Sequence, residues 1–417
     1  MAQTSEKLSS KDYIALEDKY GAHNYHPLPV VLEKGAGVHV WDVEGKKYYD
    51  FLSAYSAVNQ GHCHPKIIGA LTDQANTLTL TSRAFFNDKL GVYEKFASEY
   101  FGFEKILPMN TGAEAVETAL KIARKWGYEK KGIAQNQGKI IVCENNFHGR
   151  TTTIISFSND PDARQNFGPF TTGFVRIPYD DIDALREALR DDSNIAAFLV
   201  EPIQGEAGVY VPGDGYLTEA AKLCKEHNVL FIADEVQTGI ARTGRILAVD
   251  HENVKPDVLI LGKAISGGVY PISAVLADND IMEVIHPGQH GSTFGGNPIA
   301  AAVAMAALEV VKDEKLAENA EVLGELFRIE ISKLAKKSKL VSMVRGKGLL
   351  NAIIVNDSPN STTAWDLCIK LAENGLLAKP THGNIIRFAP PLVINQEQLL
   401  ECTSIIGKTF LDFEENM

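Results

Sequence analysis

The chain has 417 residues, enough for one large domain and a smaller companion, since single hydrophobic cores stop growing near about 250–300 residues. Hydrophobic residues make up 45% and charged residues 23%, an ordinary globular composition. The net charge of −12 argues against a general nucleic-acid binder, because phosphate backbones reward clustered Lys and Arg, and leaves open one local basic pocket for an anionic ligand.

In chain order, the first twenty residues (MAQTSEKLSSKDYIALEDKY) lack an apolar core and carry several acids, so they read as neither a signal nor a transit peptide. Gly61-His62-Cys63-His64-Pro65 has metal-like residue types, but adjacent ligands in one loop with no further cluster read as a structural turn, and no metal is expected. Cys63, Cys143, Cys224, Cys368 and Cys402 are scattered without a Cys-x-x-Cys pair, which fits a reducing compartment, read as the cytoplasm.

From about Ile106 to Ala277, apolar β-rich runs alternate with helical patterns. Ile140–Val142, Ala197–Val200, Val229–Ala233 and Val258–Leu261 are nearly continuous, as parallel strands buried on both faces require. A helix over Glu114–Lys125 places Val116, Leu120 and Ala123 on one face. This alternation predicts an open, mostly parallel α/β sheet. The most apolar stretch, Ile299 to Leu308, falls short of the about 20 residues a bilayer span needs. It reads as a buried helix with Asn297 as N-cap and Pro298 in its first turn, and no membrane partner is expected.

After Leu308 the texture changes. Helical, charged stretches at Asp313–Lys337, Thr362–Asn374 and Gln396–Thr409 surround short strands near Leu349–Ile354 and Ile385–Phe388, a smaller α+β unit. Gly375 stands where a helix takes its terminal glycine. The expected division is an N-terminal segment, 1–60, packing with the small domain, then a large α/β domain, 61–300, and a small α+β domain, 301–417. Gly35-Ala36-Gly37 and Gly346-Lys347-Gly348 lack the context of a nucleotide loop, and basic Lys333–Lys339 reads as a solvated helix end.

Ligands of open α/β sheets bind outside the carboxyl ends of the strands. Glu201, Asp234 and Lys263 each follow an apolar run directly. Taken alone, Lys263 reads equally as a lysine that bends out to solvent. Its company changes the balance. A desolvated lysine is an amine suited to condensing with an aldehyde. An aspartate on a neighbouring strand, Asp234, is suited to keeping a pyridine nitrogen protonated. Thr111-Gly112-Ala113-Glu114 is a capping box opening a helix, where free backbone N–H groups offer an anion seat, although most such boxes merely start helices.

With these residues in place, DEVQTG and PDVLILGKAISGG resemble the signature of the class III, or ω-amino acid, aminotransferases, of the fold-type-I pyridoxal-phosphate enzymes. NTGAEAVETA, NNFHGRT, EPIQGEAG, GSTFGGNP, RGKGLL and RFAPPL stand in that family's order over nearly the whole chain. NYHPLPV at 24–30, FLSAYSAVNQGHCHP at 51–65 and GLLAKPTHGNIIRFAPPL at 375–392 are similar to the branch that uses ornithine, whereas acetylornithine-using members usually lack a tyrosine matching Tyr55. At 148 a histidine stands, as in the wider class, where some ornithine-using members carry tryptophan.

The resemblance implies the following roles. Lys263 condenses with the aldehyde of pyridoxal 5′-phosphate and then shuttles the proton. Asp234 pairs with the pyridine nitrogen, Phe147 and Val236 cover the two ring faces, and Gln237 reaches the phenolic oxygen. Gly112 and Ala113 donate to the phosphate. Ser292 and Thr293 reach the phosphate of a neighbouring subunit, making a homodimer part of the site, although GSTFGG by itself reads as a surface turn. Arg387 receives an α-carboxylate, Glu206 pairs with it during the other half-reaction, Arg150 takes the distal carboxylate, Tyr25 contacts the α-amine of ornithine and Tyr55 shapes the pocket. Without the resemblance, Arg387 and Glu206 are equally a structural ion pair. The implied reaction passes the δ-amino group of L-ornithine to 2-oxoglutarate, within proline and arginine metabolism. The rival expectations are an acetylornithine or other ω-amino acid aminotransferase, an aminomutase or racemase on the same scaffold, and a dinucleotide-dependent dehydrogenase, the last disfavoured by the lack of GxGxxG.

Overall fold

In a computed structural model of the chain, residues 8–416 are described, so the first seven residues of the stretch read as carrying no targeting signal lie outside the described residues. Their strands form three sheets. Near the N-terminus β1 (Leu32–Ala36), β2 (His39–Asp42) and β3 (Lys47–Asp50) make an antiparallel ribbon. The central sheet comprises β4 (Lys105–Met109), β5 (Lys139–Cys143), β6 (Phe174–Ile177), β7 (Ile195–Val200), β8 (Leu230–Asp234), β9 (Val258–Leu261) and β10 (Ser273–Ala277). Its strand order is β4-β10-β9-β8-β7-β5-β6. Beyond it come β11 (Val341–Lys347), β12 (Leu350–Val355), β13 (Leu376–Leu377), β14 (Lys379–His382) and β15 (Ile385–Phe388). Of these, β13 pairs in parallel with β3, while the others form an antiparallel sheet ordered β11-β12-β15-β14.

Strands β5 to β9 pair in parallel, as the continuous apolar runs predict, and β7, β8 and β9 are buried at every position. One strand departs from that pattern: β10 runs antiparallel to both β9 and β4. Alternate residues serve opposite faces. Ile140 and Val142 of β5 join the core that includes Ala119 and Ile122, and Ile141 and Cys143 join the core on the other side.

Five of the longer helices frame the sheets. They are α1 (Gly112–Trp126), α2 (Pro298–Asp313), α3 (Leu316–Ala335), α4 (Thr363–Glu373) and α5 (Gln396–Glu415). The caps read from the sequence are present. Thr111 Oγ1 accepts the Glu114 N–H at the start of α1, and Asn297 Oδ1 accepts the Ala300 N–H at the start of α2. The charged stretch expected from Asp313 is split, because Lys315 takes a left-handed φ of 52° between α2 and α3. Gly375 follows α4 at φ 88°, a conformation glycine adopts without penalty. No helix among the described residues is long and apolar enough to cross a membrane.

Arg242, in the loop after β8, joins the central sheet to the antiparallel one. Fully buried, it donates to Asn59 Oδ1, to the Leu349 carbonyl at 2.9 Å and to the Pro390 carbonyl at 2.6 Å. Burial, with the nearby Arg387 cation, pulls its pKa down to about 9. Arg242→Ala strands these acceptors and opens a cavity. The expected cost is about 3–5 kcal/mol, seen as a lowered melting temperature in thermal unfolding, with Arg242→Lys intermediate; an unchanged melting temperature would contradict this reading of the joint.

Candidate active site

Lys263 is set immediately beyond β9, at φ 47°, a left-handed backbone that a non-glycine residue seldom adopts. Its side chain faces a cavity and so keeps some accessible surface, yet protein surrounds it on the longer scale that governs the cost of a charge. Burial, followed by the field of Arg387, lowers its pKa to about 8, against the opposing pull of Glu206, Asp234 and Glu201. Phe147, Val236, Gln237, Asp234, Gly112 and Ala113 line the same cavity, of about 180 Å³.

Asp234 ends β8, the neighbour of β9. One of its oxygens accepts the Val236 N–H at 3.0 Å, and the other lies 2.6 Å from His148 Nδ1. Burial opposes charge on His148, but the hydrogen bond and charge of Asp234, with Glu201 behind them, raise its pKa above the ordinary histidine value. Glu201, at the end of β7, accepts the Phe147 N–H at 2.8 Å and so fixes the backbone that carries that ring. Burial raises its carboxyl pKa to about 8, against the pull of His148. Sequence reasoning did not find the His148–Asp234 contact or the Glu201 support. The available signal was that Glu201 and Asp234 end adjacent strands while His148 directly follows the ring residue.

At the head of α1, Glu114 accepts the N–H groups of Asn110 and Thr111, at 3.0 and 2.9 Å. The N–H groups of Gly112 and Ala113 have no acceptor among the described residues, and they stand at the positive end of the helix. A Cβ on Gly112 would lie 3.0 Å from Val236 Cγ1, closer than most real contacts, so the glycine keeps this approach narrow and open. A second cavity, of about 310 Å³, also reaches Lys263 and is lined by Asn110, Thr111 and Ser266.

A larger cavity, of about 660 Å³, is lined by Tyr25, Tyr55, Arg150, Glu206, Thr381 and Arg387. Arg387, on β15, is 1% exposed. Its Nη1 donates to Gln237 Oε1 at 3.0 Å and to Glu206 Oε2 at 3.3 Å. Its Nε and Nη2, the two donors of one guanidinium edge, have no partner among the described residues. The guanidinium stands 4.8 Å from the centroid of the Tyr55 ring. Burial lowers its pKa, and Glu206 counters. Burial, followed by Glu206, raises that of Tyr55. Tyr25 is 71% exposed at the cavity mouth. Arg150 is also largely open, 3.9 Å from Asp160 and 5.7 Å from the Phe147 ring centroid, contacts too screened to fix it firmly.

Two expected site residues lie apart within a single chain. Ser292 Oγ accepts from Asn110 Nδ2 at 2.8 Å, one residue removed from the second cavity, and Thr293 is exposed. His62 and His64 of the metal-like loop face Asp50 and Glu314, at 2.7 and 2.8 Å.

A family model described as aminotransferase class-III matches residues 20–410. The chain is 64% identical over 397 residues to a protein named ornithine aminotransferase, mitochondrial, of Drosophila melanogaster, covering 95% of this chain and 91% of that one. Among solved structures, the ornithine aminotransferase of Toxoplasma gondii ME49 superposes with a TM-score of 0.96 at 53% identity, over 99% of this chain and 97% of the other. A structure named acetylornithine aminotransferase, from Elizabethkingia anophelis, gives a TM-score of 0.90 at 67% identity, over 97% and 100% of the two chains.

Only a neutral amine reacts with aldehydes, so the shifted pKa has a direct reading. Reductive methylation of the ligand-free protein, followed by peptide mass spectrometry, is expected to label Lys263 with a half-maximum near pH 8. Surface lysines follow at about 10.4. A Lys263 midpoint among those of the surface lysines would refute the buried-amine geometry.

Proposed function

The chain belongs to the class-III aminotransferase family, and from that premise we propose that it transfers the δ-amino group of L-ornithine to 2-oxoglutarate, giving glutamate 5-semialdehyde and glutamate, with pyridoxal 5′-phosphate as cofactor. The residues fit that group: a buried amine, two unclaimed N–H groups at a helix head for a phosphate, and a strand-end carboxylate for a ring nitrogen. When bound, it supplies an aldehyde that takes up amino groups and a ring that draws electrons from the carbon carrying them.

The chain's own groups do the rest. Lys263 would hold the cofactor, and its neutral amine would move the proton at the substrate's amine-bearing carbon. Asp234, backed by His148, would keep a positive charge on the ring nitrogen. Phe147 and Val236 would cover the ring, Gln237 would meet the phenolic oxygen, and Gly112 and Ala113 would hold the phosphate. Arg150 receives the distal carboxylate, Tyr25 meets the α-amine of ornithine at the cavity mouth, and Tyr55 walls the pocket.

One observation carries the δ-selective reading: Arg387 holds two buried, parallel donors, Nε and Nη2, without a partner among the described residues, while its Nη1 donates to Gln237 and Glu206. Paired donors of this kind match a carboxylate in bidentate fashion. An unscreened Arg387 would seize ornithine by its α end. Glu206 screens it while ornithine reacts and turns aside when the α-carboxylate of 2-oxoglutarate arrives.

We further propose a homodimer in which Ser292 and Thr293 reach the neighbouring subunit's phosphate; exposed Phe85 and Phe86, at 71% and 105%, with Phe294 at 49%, supply apolar surface for a second copy. A dimer mass in light scattering is the expected result, and a monomer defeats it. Residues 1–60, 61–300 and 301–417 are proposed as the three parts, supported by the sheet memberships. Helix α2, which crosses residue 300, packs on helices Pro65–Ala75 and Leu90–Phe101 of the large part. Residence in the cytoplasm, within proline and arginine metabolism, is also our reading, supported by five unpaired cysteines; the Drosophila relative's name specifies mitochondria, and cell fractionation decides.

The test is a substrate panel with product identification. Ornithine with 2-oxoglutarate is expected to yield glutamate 5-semialdehyde. N-Acetylornithine, which the name of the Elizabethkingia relative favours, is expected to react poorly, because its acetyl group removes the amine that Tyr25 meets. Turnover without 2-oxoglutarate would indicate an isomerase. Glu206→Ala is expected to shift kcat/KM about tenfold from δ- toward α-amines; unchanged regiochemistry would remove the screening role.

A further inference from the structure

Beyond β3 the chain enters a conformation that L-residues avoid. Ser53, Ala54, Tyr55 and Ser56 follow one another at φ values of 48°, 46°, 60° and 70°, with no glycine among them. Left-handed backbone brings Cβ against the following carbonyl, so four such residues in a row persist only where the surroundings over-determine them. The turn's own side chains give little help. The Ser53 and Ser56 hydroxyls are buried and have no hydrogen-bond partner among the described residues.

The support comes from Asp50, the last residue of β3. Its Oδ1 accepts the N–H groups of both Leu52 and Ser53, at 2.9 Å each. Its Oδ2 lies 2.7 Å from His62 Nε2, which braces the carboxylate from the far side. Neither residue lines the substrate cavity. What the turn presents there is Tyr55, its ring 4.8 Å from the Arg387 guanidinium. Reversing the hand of the turn would redirect the Tyr55 Cα–Cβ bond and take the ring off the guanidinium.

We propose that Asp50, braced by His62, is a positioning residue for substrate choice: it clamps the left-handed turn that keeps Tyr55 against Arg387, and thereby limits how readily the arginine receives an α-carboxylate in place of the δ-amine orientation. The selectivity readout rests on the δ-aminotransferase reading above, and the geometry does not.

Three substitutions separate clamping from general support. Asp50→Ala removes the clamp. Asp50→Asn keeps an oxygen for the two N–H groups and an amide for His62. Ala54→Gly lets the turn form without its Cβ conflict. Each variant is assayed with L-ornithine and with L-alanine, which offers only an α-amine, both against 2-oxoglutarate. Asp50→Ala is expected to move the ornithine-to-alanine ratio of kcat/KM about tenfold toward alanine, Asp50→Asn less than about threefold, and Asp50→Ala with Ala54→Gly most of the way back. Crystals of Asp50→Ala are expected to show Tyr55 displaced from Arg387. If that variant fails to fold, His62→Ala, which removes only the brace, is expected to shift the ratio the same way by a smaller factor. A ratio unchanged while both activities fall, or a Tyr55 ring still seated on Arg387 without the clamp, overturns the proposal. A parental enzyme that makes no semialdehyde from ornithine defeats the earlier reading instead, and Tyr55's position in the variant crystals then judges this one.

Discussion

A guanidinium held at 1% exposure with two donors unpaired is costly, because a buried cation loses its hydration and regains only part of it from protein acceptors. Arg387 accepts that cost beside two other cationic groups, Arg242 and Lys263, and its field bears on both. It is the second cause, after burial, of the lowered pKa of each. The amine at the end of β9 is therefore reactive near neutral pH partly because of the residue placed to bind a carboxylate. A carboxylate arriving at Arg387 offsets its charge and weakens that influence, which links occupation of the substrate pocket to the basicity of the lysine. The nearby acids, Glu206, Asp234 and Glu201, keep the cluster from becoming an uncompensated positive centre.

The fold supplies these groups with little conformational freedom. Asp234 and Lys263 stand at the carboxyl ends of paired strands, and Glu201 directly follows the next strand along. The helix head beside them has the Asn110, Thr111 and Glu114 donors already taken by the capping box, which leaves the Gly112 and Ala113 N–H groups unclaimed among the described residues. Arg387 comes from a different sheet, so its distance from Lys263 depends on how the two sheets dock. Arg242 sets part of that docking by binding carbonyls beside the adjacent ends of β12 and β15 in the antiparallel sheet.

Legibility in the sequence followed the range of the physics involved. The buried strands β5, β7, β8 and β9, the capping box on α1, Asn297-Pro298 at the head of α2 and Gly375 after α4 all rest on neighbours within a few residues, and each was readable. The antiparallel direction of β10 was not, because strand direction depends on how the chain returns to the sheet and leaves no mark on local composition. His148 against Asp234 and Asp50 against His62 were also silent, since a residue's partner across 86 or 12 positions is fixed only by the completed fold. The most misleading stretch was LSAYS: nothing in those letters signals left-handed backbone, which normally announces itself through glycine or asparagine.

That stretch and Lys263 share a property that local rules disfavour, positive φ at a non-glycine residue, and both face the reacting space. Strain of this kind is retained where the strained geometry serves a purpose and the surroundings supply compensating contacts. For Lys263 the compensation is burial of the loop that follows, Ala264 to Ser266, against α2. For Tyr55 it is a carboxylate accepting two backbone donors and braced by an imidazole. Glycine at either position would relax the backbone while deleting the side chain the site needs, so the strain has to be carried by the neighbours. The residues that carry it stand outside the pocket, beyond the reach of any argument that examines only what touches the ligand.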